Sequence, residues 1–398
     1  MRTKQVLHLA VVVQFYSGLS QIIRKNKWMH SGSPAYFHFI QQLNRSKEFS
    51  YQLILLSTSK DIKKIQNLKF RNLNQPIIIV PYYSLFMSAH SSIVKKIENF
   101  YNKIMQYIVV IRLTKGTKHY YIDRDNILLA YLLLHFRRVR VIIRLLGVTE
   151  NLFQHLTTRN NILSKIINWV FNHSNVNFIC TNDGSYSEIT KNQYNARFHL
   201  LFNGVDTHLK RNSQLEQRLK VVYLSRIVAN KGHEDFINGI AKSNLTNKLD
   251  VKVIGDGGLK SNMEVLSSNL HLDECIDFMG TLSHCDAMEE LSKADLVISI
   301  NYDGALGNVI LEASQMGIPV IVLEHPGCLS LTLYDLQVIK RGDELVDNIA
   351  KILIKSVNDK VWLNNLGKRS EQFYLEYLSS WDQRIKSEMF LIKSFFSN

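Results

Sequence analysis

The chain has 398 residues, more than one hydrophobic core usually organises, so we expect two domains of about 180–200 residues each. Hydrophobic residues at 46% and charged residues at 21% exclude an intrinsically disordered chain. The 48 lysines and arginines against 34 aspartates and glutamates give a net charge of +14, which favours an anionic partner. We do not expect nucleic acid, because the sequence has no zinc-ligand spacing, no RNA-binding aromatic signature and no basic tail.

The sequence predicts neither a membrane span nor disulfides. No apolar run reaches the roughly 18–20 residues of a spanning helix. The first apolar run, Val6–Val13, follows Arg2 and Lys4 as in a signal peptide, but it contains His8 and no clear cleavage site follows, so we interpret it as an opening strand. The four cysteines show neither paired nor metal-ligand spacing, which indicates a reducing, cytoplasmic compartment.

Short apolar strands alternate with helical patterns in the first half, as is typical of parallel sheets built from strand–helix–strand units. The strands are predicted at Val6–Val13, Tyr51–Leu56, Ile77–Val80, His119–Ile122, Val139–Leu145, Asn177–Cys180 and Arg197–Leu201. The helices are predicted at Pro34–Leu43, Ser91–Tyr107, Asn126–Phe136 and Asn161–Asn172.

Polar residues at strand ends are the candidates for a site in this half. Ser31, Gly32 and Ser33 form a small-residue loop before Pro34, which suits the first turn of a helix; Ser33 as a plain helix cap is the alternative. Arg124 follows a predicted strand and Arg144 ends one, so both are expected to face a cleft between the domains.

Basic residues cluster unevenly in the same half. The clusters are Arg24, Lys25 and Lys27; Lys95, Lys96 and Lys103 on a helix with Phe100, Tyr101 and Ile104; and Arg137, Arg138 and Arg140. They indicate either a domain resting on the inner, anionic face of the cytoplasmic membrane, where a lipid-linked acceptor lies, or a solvated basic face.

The domain break is predicted at the turn Asn203-Gly204, which gives a first domain over 1–203 and a second over 204–370. Strands of the second half are predicted at Lys220–Leu224, Asp250–Ile254, Ile276–Met279, Leu296–Ile300 and Pro319–Leu323. Helices are predicted between them, and a long helical region from about Val361 to Phe396 contains a segment, 371–398, that crosses back to the first domain.

The segment Val221–Gly232 predicts an anion site. A buried strand opens into a loop bracketed by Arg226 and Lys231, and Gly232 starts the helix that follows. A guanidinium, an ammonium and free N–H groups at a helix start suit a diphosphate, whereas two solvated surface cations would be the alternative for an isolated segment.

A second strand end about 80 residues later supplies a carboxylate. The strand Leu296–Ile300 runs into a turn-rich loop that ends at Asn308, and Glu312 follows on a helix. Glu312 is expected to face the same sheet edge and to accept hydrogen bonds from a ribose diol, or else to cap its helix. Gly304 and Gly307 would leave room for phosphate to approach the backbone.

These residues resemble the nucleotide-binding half of glycosyltransferase family 4, retaining enzymes of the GT-B fold. The matching motifs are Arg226 with Lys231-Gly232, Gly255–Gly258, Ala294-Asp295, Glu312-Ala313 and Gly317–Val320. Asn203–Asp206 resembles the hinge signature of that family, and Ser380-Trp381 its closing helix. The resemblance extends from about Asn203 to the end of the chain.

Two positions depart from the family pattern. The family carries two glutamates with seven residues between them; Glu312 matches the second, but Gly304 stands at the first, with Asp303 one residue upstream as a substitute. In Arg144–Gly147, which resembles the family's Arg-Leu-His-Gly segment, Leu146 replaces the histidine.

The resemblance implies two Rossmann-like, doubly wound α/β domains that face a cleft. It implies a retaining, metal-independent transfer of a sugar from a nucleoside diphosphate sugar, with no cofactor, to the hydroxyl of a saccharide or lipid-linked acceptor in surface polysaccharide biosynthesis. Catalysis is assigned to Arg226, Lys231 and Asp303, donor binding also to Gly255, Gly304, Gly307, Asn308 and Glu312, and the acceptor side to Ser31, Gly32, Ser33, Arg124 and Arg144. The alternative is an inactive nucleotide-sugar-binding or scaffold protein of the same fold.

Overall fold

A computed structural model describes residues 6–14, 28, 34–60, 62–84, 92–206, 209–212, 217–331 and 334–397. The predicted loop Ser31, Gly32 and Ser33 and the basic cluster Arg24, Lys25 and Lys27 lie outside these residues. Within them, each half of the chain forms one mostly parallel sheet with helices, the α/β architecture expected from the alternating pattern.

The first sheet has eight strands among the described residues. They are β1 (Leu7–Gln14), β2 (Phe49–Leu56), β3 (Gln66–Leu68), β4 (Ile77–Val80), β5 (His119–Asp123), β6 (Arg140–Leu145), β7 (Val176–Thr181) and β8 (Phe198–Leu201). Their order is β3-β4-β2-β1-β5-β6-β7-β8, and every pairing is parallel except that of β3 with β4.

Both faces of the first sheet are covered, which explains why its strands are apolar runs rather than alternating ones. Ala10 and Val12 of β1 enter the core on one face, while Leu9 and Val11 enter the core on the other. The helices of this domain are α1 (Pro34–Arg45), α2 (Ser92–Leu113), α3 (Ile127–Phe136), α4 (Glu150–Thr157), α5 (Ile162–Asn172) and α6 (Ser187–Tyr194).

The second sheet is parallel throughout. Its described strands are β9 (Leu219–Leu224), β10 (Leu249–Ile254), β11 (Ile276–Gly280), β12 (Leu296–Ser299), β13 (Val320–Leu323) and β14 (Gln337–Ile339), in the order β11-β10-β9-β12-β13-β14. The helices are α7 (His233–Ser243), α8 (Lys260–Asn269), α9 (His284–Ser292), α10 (Asn308–Gln315), α11 (Leu345–Asn358) and α12 (Lys360–Tyr377). Because β9 and β12 are neighbours, their carboxyl ends bring Arg226 and the loop 301–307 to one edge.

Several elements escaped prediction. The strands β3 and β14 are only three residues long and lie at sheet edges, so they carry no apolar run. The helices α4 and α6 have eight residues each, about two turns, which is too short for a clear periodic pattern.

The long helical region at the end of the chain divides in two. The helix α12 packs against α10 of the second domain, and α13 (Trp381–Ser397) packs against α1 of the first. Trp381, Ile385 and Phe396 belong to the hydrophobic core beneath β1 and β2. The return to the first domain therefore starts at Trp381, whereas residue 371 lies inside α12.

Candidate functional site

Arg226 and Lys231 lie on the loop that follows β9. The loop ends in a short 3₁₀ turn, Ala229–Lys231, and α7 begins after Gly232. Gly232 has a φ of 54°, and a Cβ at this position would lie 2.3 Å from Cγ2 of Ile300, so only glycine fits. The buried Tyr223 fixes the loop, since its hydroxyl donates to the Lys231 carbonyl (2.5 Å) and accepts from the Ile300 amide (3.1 Å).

The two cations differ in their environment. The Arg226 side chain is exposed and makes no hydrogen bond or ion pair with any described residue. Lys231 is partly buried, and this burial lowers its pKa; Asp303 opposes that shift, Arg226 adds to it, and Asp183 of the first domain opposes it. Lys231 thus lies close to three charged side chains, and the first turn of α7 adds the carboxylates of Glu234 and Asp235, so the cations lie among charges of both signs.

Asp303 lies on the neighbouring loop and is held next to the cation loop. Asn230 donates its side-chain amide to the Asp303 carboxylate, and the Tyr302 amide donates to the Asn230 carbonyl at 3.0 Å. The side chain of Asp303 is exposed. The structure therefore brings Arg226, Lys231 and Asp303 together at one sheet edge.

The prediction that Gly304 leaves room for a phosphate beside the backbone is wrong. A Cβ at Gly304 would lie 2.7 Å from the carbonyl oxygen of Asp183, so the space beside it holds the backbone of the first domain and not a phosphate. Two backbone hydrogen bonds fix this contact, from Leu306 to the Asp183 carbonyl (2.8 Å) and from Ala305 to the Gly184 carbonyl (3.1 Å). A glutamate at this position would require the loop or the backbone near Asp183 to shift.

Gly307 and Gly255 lie elsewhere on the same edge. Gly307 precedes the first residue of α10, and no atom lies within 4 Å of where its Cβ would be, so its backbone borders open space. Gly255 follows β10 and donates its amide to the Gly280 carbonyl at 2.8 Å.

Glu312 lines a cavity of about 400 Å³ between the domains, a volume typical of small-ligand sites. Its other lining residues are Pro34, His38, Gly204, Val205, Asp206, His284, Asn308, Leu311 and Trp381. Burial raises the pKa of Glu312 to about 8, and Nε2 of His284 lies 4.0 Å from its Oε1. A desolvated carboxylate of this kind gains from hydrogen-bond donors such as hydroxyls.

The predicted residues thus fall in two adjoining places rather than in one pocket. Arg226, Lys231 and Asp303 form one cluster, and none of them lines the cavity that holds Asn308 and Glu312. The loop from Asp303 to Gly307 joins the two, and it is anchored to the first domain between them.

In the first domain, Arg124 and Arg144 differ in exposure. Arg124 is partly exposed, donates to Asp125 at 3.2 Å and lines a groove of about 340 Å³. The prediction that Arg144 faces the cleft is wrong, because its side chain is only 1% exposed. It donates to Oγ1 of Thr181 at 2.8 Å and pairs with Glu388 of α13 at 3.5 Å, so it binds the returning helix.

Asp183 is a charged group near the site to which the sequence analysis assigned no role. Burial raises its pKa to about 6, opposed by hydrogen bonds from the hydroxyl and amide of Ser185 at 2.5 and 3.1 Å. It follows β7 and lies near both Arg124 and Lys231. Its position at a strand end was the available signal, but strand-end polarity does not reveal which side chains cross the domain boundary.

Two negative findings apply to the described residues. No group of three or more histidine, cysteine, aspartate or glutamate side chains among them is arranged to hold a metal ion. None of the helices in the described part of the chain is both long and apolar enough to cross a membrane.

A family model described as glycosyl transferases group 1 matches residues 205–372, the part of the chain that carries Arg226, Lys231 and Glu312. The second domain is therefore similar to the group 1 glycosyl transferases. A curated relative, the N-acetyl-alpha-D-glucosaminyl L-malate synthase of Bacillus anthracis, is 26% identical over 184 residues, which are 44% of this chain. The alignment spans 45% of the length of that relative.

Solved structures resemble the chain over both domains. Sucrose-phosphate synthase from Thermosynechococcus elongatus has a TM-score of 0.68 at 12% identity, with 98% of this chain and 99% of that one covered. Anabaena HepE in complex with UDP has a TM-score of 0.68 at 13% identity, with 98% of this chain and 100% of that one covered. At these identities the likeness shows the fold alone, and the group 1 glycosyl transferase domain is thus one half of a GT-B architecture.

Proposed function

We propose that the protein is a glycosyltransferase that moves a sugar from a nucleoside diphosphate sugar to an acceptor hydroxyl. The observation that carries this proposal is the Arg226–Lys231 pair at a helix start, joined by the loop 303–307 to the cavity of Glu312. The cations suit the diphosphate and the carboxylate suits the ribose. The binding of UDP to HepE, which shares the fold, is consistent with a uridine nucleotide as donor.

The chemical demand of the reaction is charge stabilisation. When the bond between the sugar and the diphosphate breaks, negative charge develops on the β-phosphate. Arg226, Lys231 and the free N–H groups at the start of α7 would meet this charge without a metal ion. Asp303, which accepts a hydrogen bond from Asn230, would favour the charged form of Lys231.

We further propose retention of the anomeric configuration through front-face displacement. In this mechanism the acceptor oxygen attacks from the side of the leaving group, and the leaving phosphate takes its proton, so no protein nucleophile is needed. Closure of the two domains would exclude water, and the Gly304–Asp183 contact is one point at which they already meet.

For the acceptor we propose a lipid-linked saccharide of surface polysaccharide biosynthesis, at the inner face of the cytoplasmic membrane. The basic net charge supports an anionic surface as partner. On the acceptor side, Arg124 lines a groove and lies near Asp183.

Calorimetry with UDP, GDP and their hexose conjugates tests donor binding, and mass spectrometry of lipid-linked saccharide mixtures tests transfer. We expect one nucleotide to bind tightly, transfer to persist in EDTA, and the product linkage to keep the donor's configuration. Absence of binding to every nucleotide would contradict the proposal.

Two observations favour an inactive, nucleotide-sugar-binding protein as a second candidate. Leu146, at the position of the family's histidine, is 45% exposed at the sheet edge and offers no polar group. Gly304, at the position of the first glutamate, has no room for a side chain. Tight donor binding without transfer or donor hydrolysis would support this second candidate over the first.

A further inference from the structure

The helix α2 (Ser92–Leu113) buries its polar face. The Glu98 carboxylate is 2% exposed and accepts from Lys60 at 2.7 Å and from Ser84 at 2.6 Å. Asn102 accepts from the Tyr83 amide at 2.9 Å, and Gln106 donates to the Ser57 carbonyl at 2.8 Å. Specific polar contacts therefore hold the inner face of the middle of this helix, and apolar packing of Tyr107 and Val110 holds its carboxyl-terminal part.

The opposite face of α2 presents large apolar side chains to solvent. Ile93, Ile97 and Phe100 are 71%, 53% and 63% exposed, Ile108 is 38% exposed, and Ile104 is partly exposed. Their spacing of four, three, four and four residues places them in one stripe along the helix. Exposed single apolar residues are ordinary, but a continuous stripe of this kind marks an interaction surface.

Positive charge lies beside the amino-terminal half of α2: Lys96 adjoins the stripe, three residues after Ile93 and four before Phe100, whereas Lys95 lies on the side of Glu98. Lys95 and Lys96 are exposed and make no ion pair with the described residues. Lys63 and Lys64 are also exposed and follow Ile62, whose carbonyl accepts from the amide of Tyr82. The hydroxyl of Tyr82 donates in turn to Asn99 of α2, which places these lysines beside the same half of the helix.

Lys103 does not belong to this basic surface, although the sequence grouped it with Lys95 and Lys96. Its ammonium donates to the side chains of Gln14 and Asn126, the latter at 3.1 Å. Its side chain is mostly buried, which lowers its pKa, and it therefore makes its contacts inside the first domain.

We propose that this stripe, Ile93, Ile97, Phe100, Ile104 and Ile108, docks the first domain on an anionic lipid surface. The apolar side chains enter the boundary between headgroups and acyl chains, and the neighbouring lysines attract the lipid phosphates. A second copy of the chain is a poorer occupant, because two such faces would bring lysines against lysines in a protein of net charge +14.

This inference deepens the membrane location proposed above by naming the side chains that contact the lipid, and it does not depend on the transfer reaction. Lipid docking uses side chains on the outside of α2, whereas nucleotide binding uses the edge of the second sheet. Failure of one can therefore be told from failure of the other by measuring vesicle binding and UDP binding on the same variants.

Vesicle flotation of the full chain tests the proposal, with phosphatidylcholine vesicles that contain about one third phosphatidylglycerol or none. We expect binding to the anionic vesicles and a loss of about tenfold or more in I97D/F100D, since two apolar side chains leave the interface and two charges replace them. K95E/K96E should weaken binding to anionic vesicles only, and added salt should do the same.

The matched control is Leu375→Asp, because Leu375 is 66% exposed on α12 of the second domain and should not affect vesicle binding. Circular dichroism and thermal melting should match for all variants, since every altered side chain is exposed. The proposal is overturned if the wild type ignores anionic vesicles, or if I97D/F100D binds them like the wild type. A concentration-dependent dimer that I97D/F100D abolishes would also overturn it.

Discussion

The carboxyl edges of the two sheets carry similar charged residues but use them in opposite ways. At the first sheet, the Asp123 carboxylate accepts from the Gln14 amide and from Asn126, both at 2.5 Å, and Arg144 is paired with Glu388. At the second sheet, Arg226 and Lys231 have no ion-pair partner within 4 Å among the described residues. At the first edge Asp123 and Arg144 hold the fold and Arg124 alone of the three charges is partly exposed, whereas at the second edge both cations are left for a ligand.

The difference teaches which strand-end charges indicate a site. Removing a charge from water is unfavourable, so a buried charge needs a partner inside the protein. Arg144 meets Glu388 of the returning helix, which Arg384 also pairs, so three charges and Tyr121 form one buried cluster. A strand-end charge indicates a ligand only when the fold supplies no such partner.

Among the substitutions that test this comparison, Glu388→Ala is expected to lower the free energy of unfolding most. The substitution leaves the guanidinium groups of Arg144 and Arg384 buried without their carboxylate, which should lower the free energy of unfolding by about 3–5 kcal/mol. Urea denaturation measures the change. Asp382→Ala on the same helix is the control, because its ion pair with Lys386 is exposed and should contribute about 1 kcal/mol or less. Equal effects of the two substitutions would contradict a structural role for the first edge.

Arg226→Ala and Lys231→Ala should mainly affect the rate of transfer and not the stability of the fold. Each is expected to lower the rate of transfer roughly 10²–10³-fold, by analogy with the loss of one oxyanion donor. Unfolding by urea should change little for Arg226→Ala, since its side chain is exposed and has no described partner. Arg138→Ala and Lys368→Ala remove exposed charges elsewhere and are the controls. Transfer at the wild-type rate would exclude the altered residue from the site.

Gly304→Ala tests how closely the two edges approach each other. A Cβ at 2.7 Å from the Asp183 carbonyl forces the loop and the first domain apart, so we expect a loss of about 1–3 kcal/mol in unfolding free energy. Gly258→Ala is the control, because no atom lies within 4 Å of its Cβ position, and it should change stability by about 0.5 kcal/mol or less. If both variants were equally stable, Gly304 would not be the point of contact.

The last test is a pH dependence of stability that belongs to Glu312. Burial raises its pKa from 4.5 to about 8, so the folded state holds a proton that the unfolded state releases. The free energy of unfolding therefore decreases as the pH rises across that window, and Glu312→Gln should remove this contribution.

The measurement is urea unfolding of wild type and Glu312→Gln, without nucleotide, at a series of pH values between 4.5 and 8. From the lowest to the highest pH, the free energy of unfolding of the variant should rise by at least about 1 kcal/mol relative to that of the wild type. If the free energies of unfolding of the two proteins changed with pH in parallel, the Glu312 carboxyl would ionise as freely in the folded as in the unfolded chain.

Much of the fold could be predicted because its strands are buried on both faces and therefore read as apolar runs. The strand at Ile77–Val80 has the predicted bounds, and β9 and β10 differ from prediction by one residue at their starts. The edge strands β3 and β14 could not be predicted, because each has only three residues, too few for such a pattern. The break between α12 and α13 was also missed, since helical periodicity continues through it.

The candidate site was predictable in part for a similar reason. Parallel topology brings the ends of neighbouring strands to one edge, so Arg226, Lys231 and Asp303 could be grouped from the sequence. Asp183 and His284 could not be assigned, because their approach to Lys231 and Glu312 depends on how domains and loops pack.

The sequence by itself determined the two parallel sheets, because the local apolar pattern encodes them, and it predicted the domain turn near Asn203 and the cation pair of the second half. Only the tertiary structure decided that Arg144 holds a helix, that Gly304 admits the backbone of the other domain, and that α2 turns its apolar side outward. The physical reason is that burial and pairing are properties of distant segments in contact. The contact of Arg144 with Glu388, 244 positions later, leaves no local trace in either segment.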